Sequence, residues 1–331
     1  MKKLGNSEIT VQGVVLGAWA MGGWYWGGTD DSLAIRSIHA SIDAGISGID
    51  TAPIYGCGHS EEVVGRAIFD RRDQVVLMTK VGLRWDCEEG AFFFAMSPEE
   101  GGHQVFRNLR TDSIRQEVEN SLRRLQTDYI DVLQCHWPDP STPIEDTMHS
   151  LATLYQEGKI RAVGVSNFNV DLLTRSQGVL AEHGIPLASH QPRYSLLHRE
   201  IEKEELPWTI KNHVGNIVYS PIGQGLLTGK VSVERKFPDD DGRCHDPAFS
   251  ENNRKLVLQS LEKIRDLCQI YHCTFAQLAI SWCLHQKGIT SAIVGARTPE
   301  QAIENAKSVQ LEIKKEDVDR ITQTFHALAQ L

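Results

Sequence analysis

The sequence predicts a (β/α)8 barrel. Eight short runs rich in Val, Ile and Leu recur about every 30 to 50 residues, and a helix-periodic stretch follows each, the alternation that builds a parallel sheet wrapped by helices. Three of these runs end on an ionisable residue: Gly48-Ile49-Asp50, then Val75-Val76-Leu77-Met78-Thr79-Lys80, then Tyr129-Ile130-Asp131-Val132-Leu133-Gln134-Cys135-His136. Parallel sheets gather their chemistry at the carboxyl ends of the strands. No Gly-x-Gly-x-x-Gly follows the first run, which argues against a dinucleotide-binding doubly wound sheet. No Pro-, Gly- or Ser-rich linker divides the chain, so residues 1–331 are expected to form one domain.

In chain order, Lys3-Leu4, a Gly5-Asn6-Ser7 turn and Glu8-Ile9-Thr10-Val11 read as an N-terminal β-hairpin. Val14 to Trp19 is the first barrel strand, followed by a loop rich in glycine and aromatics from Met21 to Gly28. A helix starts near Ser32 with Leu33, Ile35, Ile38 and Ile42 at helical spacing, and Gly45 stops it. The Asp50 strand is second. Ser60 is the expected N-cap of a helix over Glu61 to Asp70, and the Lys80 strand is third. Between about Leu83 and Arg110 the periodicity breaks, which predicts a long loop of the kind that covers or shapes a site. A helix over Thr111 to Leu125, the His136 strand and a helix from Pro143 to Gly158 come next. Strand five is Ile160 to Asn167, followed by a helix over Val170 to Glu182. Ala188 to Tyr194 is a more polar sixth strand. A helix over Glu200 to Asn212 should kink or divide at Pro207. Asn216 to Pro221 is strand seven. A second long loop, Gly223 to Asn253, follows, with a solvated, mobile tip at Asp239-Asp240-Asp241-Gly242. Helices over Lys255 to Tyr271 and Phe275 to His285, strand eight at Thr290 to Gly295, and helices over Pro299 to Ser308 and Lys315 to Leu328 complete the chain.

Of the 331 residues, 41% are hydrophobic and 23% charged, the balance of a globular chain long enough to bury a large core. The net charge of -9, without a basic block, makes nucleic acid a poor partner. No apolar stretch approaches the ~18 residues of a membrane span, and the N-terminus lacks a signal-peptide core. The seven scattered cysteines read as reduced thiols, and a cytoplasmic location is expected. Nothing in the sequence speaks to an oligomeric state.

In a barrel, Asp50, Tyr55, Lys80 and His136 converge on one face. A free phenol gives up its proton near pH 10, and a nearby ammonium lowers that value. Lys80 can supply the charge, with Asp50 holding Lys80 in place. His136 can donate to a carbonyl oxygen, and Tyr55 can protonate the alkoxide as hydride adds to the carbon. The competing reading is a hydrolytic metal site on Asp50 and His136. It lacks a third protein ligand, so no metal is expected. Taken singly, each residue has an ordinary reading: a strand-terminal hydrogen bonder, a snorkelling lysine, a loop tyrosine. The joint arrangement favours chemistry.

The motifs Gly48-Ile49-Asp50-Thr51-Ala52-x-x-Tyr55-Gly56, Ser60-Glu61-Glu62-x-x-Gly65, Thr79-Lys80, Cys135-His136-Trp137-Pro138, Gly164-Val165-Ser166-Asn167-Phe168 and Tyr219-Ser220-Pro221 occur in order over nearly the whole chain. Together they resemble the aldo-keto reductase superfamily. Trp137-Pro138-Asp139-Pro140, Gly225 to Lys230 and Gly295-Ala296-Arg297 resemble its bacterial branch of general stress protein reductases. The resemblance implies a (β/α)8 fold and NAD(P)H-dependent reduction of aldehydes and ketones, or oxidation of alcohols and sugars. It makes Asp50, Tyr55, Lys80 and His136 the catalytic tetrad, with Tyr55 as proton donor. Some members of the superfamily look like cofactor-sensing regulatory proteins with little turnover; the complete tetrad favours an enzyme here.

The resemblance also implies a cofactor site. Nicotinamide would stack on Tyr219, with its carboxamide on Ser166, Asn167 and Gln191. The loop Ser220-Pro221-Ile222-Gly223-Gln224-Gly225-Leu226, with Lys230, would follow the pyrophosphate, although Gly223 and Gly225 also read as turn glycines. Gly17, Trp19 and Asp50 would lie beneath, and Gly295, Ala296, Arg297, Gln301 and Asn305 would hold the adenosine end. Arg297 at a helix start is suited to a 2′-phosphate, or to a surface salt bridge. NADPH (NADP+) is therefore expected as cofactor, with NADH possible. Trp19, Tyr25, Trp26, Trp85 and Trp137 are the expected substrate walls, for a small carbonyl compound or a sugar.

Overall fold

The computed structural model describes residues 1–97 and 101–331. A hairpin pairs β1 (Lys2–Lys3) with β2 (Thr10–Val11). Then come β3 (Val14–Gly17), α1 (Asp31–Asp43), β4 (Gly48–Asp50), α2 (His59–Ile68), β5 (Val76–Val81), β6 (Leu83–Arg84), β7 (Ala91–Ala95), β8 (Gln104–Arg107), α3 (Thr111–Leu125), β9 (Val132–Cys135), α4 (Ile144–Gln156), β10 (Val163–Ser166), α5 (Val170–Glu182), β11 (Leu187–Gln191), α6 (Glu205–Lys211), β12 (Gly215–Tyr219), α7 (Glu251–Glu262), α8 (Arg265–Ile270), α9 (Phe275–His285), β13 (Ile289–Gly295), α10 (Pro299–Lys307) and α11 (Lys315–Thr324). Strands β3, β4, β5, β9, β10, β11, β12 and β13 close in that order into an eight-stranded parallel barrel. The fold is therefore the (β/α)8 barrel with an N-terminal hairpin.

Alternation along each strand decides what faces the barrel axis. Val15, Met78, Val132, Ile217 and Ile293 form one interior cluster, and Leu4 and Val11 of the hairpin complete it at the amino-terminal end. Leu77, Val81, Leu133 and Val165 face outward into the helix layer. Each such fully buried aliphatic side chain contributes about 1.5–3 kcal/mol. The register sets the strand ends level: Gly17 pairs with Asp50 and Gly295, Lys80 with Gln134, and Ser166 with Gln191. No helix among the described residues is long and apolar enough to cross a membrane, and all seven cysteines are free thiols.

Several local expectations are corrected. Strands β6, β8 and β7 form a three-stranded antiparallel sheet where the 83–110 stretch reads as an irregular loop; its residues 98–100 lie outside the described residues. A bulge at Phe93 hides the period, because an extra residue breaks the two-residue alternation. Ser60 is not the cap of α2. Gly58 takes that position, while the buried Ser60 hydroxyl donates to Ala18 O (2.9 Å) and meets Thr51 Oγ1 (2.9 Å). Pro207 lies in the first turn of α6, where a missing N–H costs no helical bond, and the break precedes it at Lys203–Glu204. The Lys255 to Tyr271 helix divides into α7 and α8 at Lys263–Ile264. The Asp239 to Gly242 tip is anchored: Asp241 is buried against Arg243, and its backbone bridges to Trp26.

Candidate active site

Strand ends β4, β5 and β9 deliver Asp50, Lys80 and His136 to one end of the barrel, and a turn after β4 folds Tyr55 back over them. Gly22 and Gly56 allow the turn to meet the aromatic loop: a Cβ on Gly56 would lie 2.1 Å from Gly22 O. Lys80 Nζ donates to Asp50 Oδ1 (2.6 Å), Thr51 O (2.9 Å) and Tyr55 Oη (3.2 Å). The other carboxylate oxygen, Asp50 Oδ2, accepts from Gln191 Nε2 (2.8 Å) and Gln134 Nε2 (3.3 Å). Asp50 therefore acts on more than Lys80 alone. The imidazole of His136 meets the Tyr55 ring edge-on at 5.7 Å.

Burial opposes the charge on Lys80, yet Asp50 and Tyr55 offset it and hold the ammonium above the ordinary lysine range. Burial, with the Lys80 charge, pushes His136 well below its usual value, so the imidazole is neutral and carries one N–H. Tyr55 is raised, first by burial; the Lys80 charge pulls the other way without prevailing. The expectation of a lowered phenol thus reverses, and the group is a firmly protonated donor.

Above these groups lies a cavity of about 620 Å³. Its wall includes Gly17, Trp19, Asp50, Tyr55, His136, Ser166, Asn167, Gln191, Tyr219, Ser220, Pro221, Ile222, Gln224, Gly225, Lys230, Gly295, Arg297, Gln301 and Asn305, and the aromatic residues Trp26 and Trp137. Tyr25, Trp85, Gly223, Leu226 and Ala296 are not in that wall. Tyr25 instead stacks on Trp19 from outside (4.9 Å), Trp85 packs in the cluster around Ala52 and Leu83, and Leu226 belongs to the core. Lys80 sits one layer below, fully buried. The wall also holds Trp24, Phe93 and Phe94, which sequence reasoning missed. Trp24 stands next to Tyr25 in the aromatic loop, and the Ala91-Phe92-Phe93-Phe94-Ala95 run is the signal for the other two. Arg235 and Arg243 also line the cavity, and nothing local in the sequence marks them.

The cavity suits a nicotinamide dinucleotide. Tyr219 Oη donates to Asn167 Oδ1 (3.0 Å), and Asn167 Nδ2 donates to His136 O (3.1 Å) and Ser166 Oγ (3.0 Å), so this corner of the cavity is fixed in advance. Beyond it, Ser220, Gly223, Gln224 and Gly225 all have positive φ, a curled backbone able to approach phosphate closely. The Gln224 Oε1 atom is buried without a partner among the described residues. Arg297 is not free: its guanidinium donates to Trp26 O (3.1 Å) and Gly28 O (3.0 Å), tying the aromatic loop across the opening.

Residues 13–325 match the model of the Aldo/keto reductase family. The chain belongs to this family. This aldo-keto reductase is 42% identical over 301 residues to Aldo-keto reductase YhdN of Bacillus subtilis (strain 168), covering 90% of this chain and 85% of that protein. It is 38% identical over 336 residues to the NADH-specific methylglyoxal reductase of Escherichia coli (strain K12), covering 99% of each. Among solved structures, the glycerol dehydrogenase AKR11B4 from Gluconobacter oxydans superposes with a TM-score of 0.84 at 39% identity, over 97% of this chain and 93% of that one. The aldo-keto reductase described here is accordingly an NAD(P)H-dependent oxidoreductase acting on small-molecule carbonyl compounds.

Proposed function

We propose that Tyr55 is the proton donor of this reductase and that Lys80, Asp50 and His136 set its geometry. The observation that carries this is Lys80 Nζ bonded at once to Asp50 Oδ1 and Tyr55 Oη on the cavity floor. When bound, the nicotinamide cofactor supplies the hydride that adds to the carbonyl carbon. Tyr55 gives its proton to the carbonyl oxygen as negative charge builds there. Neutral His136 donates a hydrogen bond to the same oxygen. Gln191, whose Nε2 is committed to Asp50 and Gln134, offers its carbonyl oxygen to the cofactor amide. The complete constellation and the reductase and dehydrogenase relatives favour an enzyme over a sensor. The test is Tyr55→Phe: turnover should fall by about 10²–10⁴ while cofactor quenching of protein fluorescence is unchanged. Near-parental turnover would remove the assignment.

For the cofactor, NADPH is the preferred partner in this reading. Lys230, Arg235 and Arg297 all line the cavity and form no ion pair among the described residues, with the Arg297 guanidinium also holding Trp26 O and Gly28 O. A 2′-phosphate is a dianion that such a group matches. Steady-state kinetics with both cofactors test the preference; Arg235→Ala and Arg297→Ala should each lower NADPH efficiency about tenfold and spare NADH. Efficiency with NADH equal to or above that with NADPH would overturn it, the second being the direction of the NADH-specific E. coli relative.

For the substrate, the wall near Tyr55 is aromatic and aliphatic: Trp19, Trp24, Trp26, Ile54, Phe93 and Trp137. A small uncharged carbonyl compound fits such a wall better than a phosphorylated one. The relatives named for methylglyoxal and glycerol support the same class. A panel pairing free and phosphorylated aldehydes should show higher kcat/KM for the free member of each pair; the reverse order would remove the class.

A further inference from the structure

Below the cavity, out of reach of any ligand, lies a polar layer that the reaction as described does not use. Gln134 and Ser189 are both fully buried, and neither lines the cavity. In register, Lys80 of β5 stands beside Gln134 of β9, Gln134 beside Gly164 of β10, and Gly164 beside Ser189 of β11. Gly164 is what lets the layer form: a Cβ there would lie 2.3 Å from Ser189 Oγ and 2.9 Å from Gln134 Cγ.

We propose that Gln134 is a positioning residue for proton donation, holding the Asp50 carboxylate as a fixed partner of Lys80. The proposal rests on Tyr55 being the proton donor. The Gln134 amide has only one consistent orientation. Its Oε1 accepts from Gln191 Nε2 (3.2 Å) and from the Ser189 hydroxyl (3.5 Å), so its Nε2 must face Asp50 Oδ2 (3.3 Å). Asp50 thus takes the Lys80 ammonium on one oxygen and two amide N–H groups on the other.

Those two donors matter because the ion pair is buried. Out of water, a carboxylate and an ammonium have a competing neutral state, in which one proton passes from Lys80 Nζ to Asp50 Oδ1. Amide donors stabilise the carboxylate and disfavour that transfer. With the proton kept on Lys80, the cation stays 3.2 Å from Tyr55 Oη and favours the phenolate that proton donation leaves behind. The charged and titratable groups facing Tyr55 are Lys80 from β5, Asp50 from β4, His136 after β9 and Tyr219 at the end of β12. Gln134 reaches Tyr55 only through the first two.

The test substitutes Gln134→Met in the full chain, keeping side-chain length and removing the amide. Methylglyoxal reduction by NADPH is followed from pH 6 to about 11.5, so that the window passes the ordinary phenol value of about 10, beside Tyr55→Phe. The expected result is a kcat about tenfold lower, a basic limb moved up by about one pH unit, and cofactor affinity within twofold of the parent. A basic limb and kcat unchanged from the parent would overturn the role of Gln134 while leaving Tyr55 in place. An active Tyr55→Phe would overturn the donor assignment and the role of Gln134 with it. If Gln134→Met does not fold, Ser189→Ala removes one of the donors that fix the amide; the same shift at smaller size supports the proposal, and an unmoved limb overturns it.

Discussion

On the cavity floor, Asp50 accepts three hydrogen bonds and Lys80 donates three, and all partners sit on barrel strands except Thr51 O and Tyr55 Oη in the turn after β4. At the rim, by contrast, Trp19, Trp24 and Trp26 leave three buried indole N–H groups without an acceptor among the described residues. The floor is held by directional bonds between buried charges and amides. The rim is held by ring contacts such as Trp19–Tyr55 at 5.9 Å and Trp24–Phe94 at 5.9 Å, and by the ties from Arg297 and from the Asp241–Arg243 pair. The difference teaches how the fold divides its labour. Proton transfer needs atoms fixed to fractions of an ångström, and strands provide that. Substrate choice needs an apolar surface that can repack, and loops provide that.

Breaking the floor should have the largest effect. Lys80→Met leaves Asp50 a buried carboxylate without its cation, which should cost about 3–5 kcal/mol of stability and lower turnover by about 10²–10⁴. Urea unfolding and steady-state kinetics on one preparation check both, and a variant that loses neither would show that the floor is not an ion-pair device.

The support of the floor comes next. Glu117 of α3 is buried, accepts from the Gly82 backbone just after β5, and has its second oxygen unpartnered among the described residues. Burial pushes its carboxyl from 4.5 up to about 8, only partly offset by the Gly82 N–H and the Arg84 charge. Between those pH values the folded chain keeps a proton that the unfolded chain releases, so stability falls as pH rises from about 4.5 to about 8. Glu117→Gln keeps the acceptor and removes the titration. It should flatten that fall and gain roughly 1–3 kcal/mol at pH 8, measured as the difference in urea midpoints at pH 5 and pH 8.

The rim should respond more weakly. Asp241→Asn loosens Arg243, whose guanidinium lies over the Trp26 ring at 4.9 Å. Stopped-flow fluorescence should show cofactor release about tenfold faster, with kcat for the chemical step unchanged in single turnover. The smallest effect is expected for Trp24→Phe, which keeps a ring and deletes an unpartnered donor. Stability should stay within about 1 kcal/mol, and the change should appear in KM for bulky aldehydes. A large loss of stability there would show that the rim carries structural weight the contacts do not suggest.

The convergence of Asp50, Tyr55, Lys80 and His136 was legible because each is anchored to a strand end or to a fixed turn after one. Trp85 and Tyr25 were misplaced because a tryptophan or tyrosine in a loop gives no sign of which side faces the cavity. Phe93 and Phe94 were hidden by the bulge at Phe93. The Asp239 to Gly242 tip reads as a solvated run of carboxylates; Arg243, two residues beyond Asp241, neutralises it in the fold.

By itself the sequence determined the barrel, its order of strands and the identity of the floor residues, because hydrophobic periodicity and strand-end chemistry are local properties of the chain. Only the tertiary structure decided the rest. It strengthened the hold of Tyr55 on its proton by burial, spent the amide of Gln191 on Asp50, joined Gln134 and Ser189 through the space left at Gly164, and carried Arg243 to the cavity. Each of these depends on which strands become neighbours when the sheet closes and on how much water they exclude, and neither is written in any single stretch of residues.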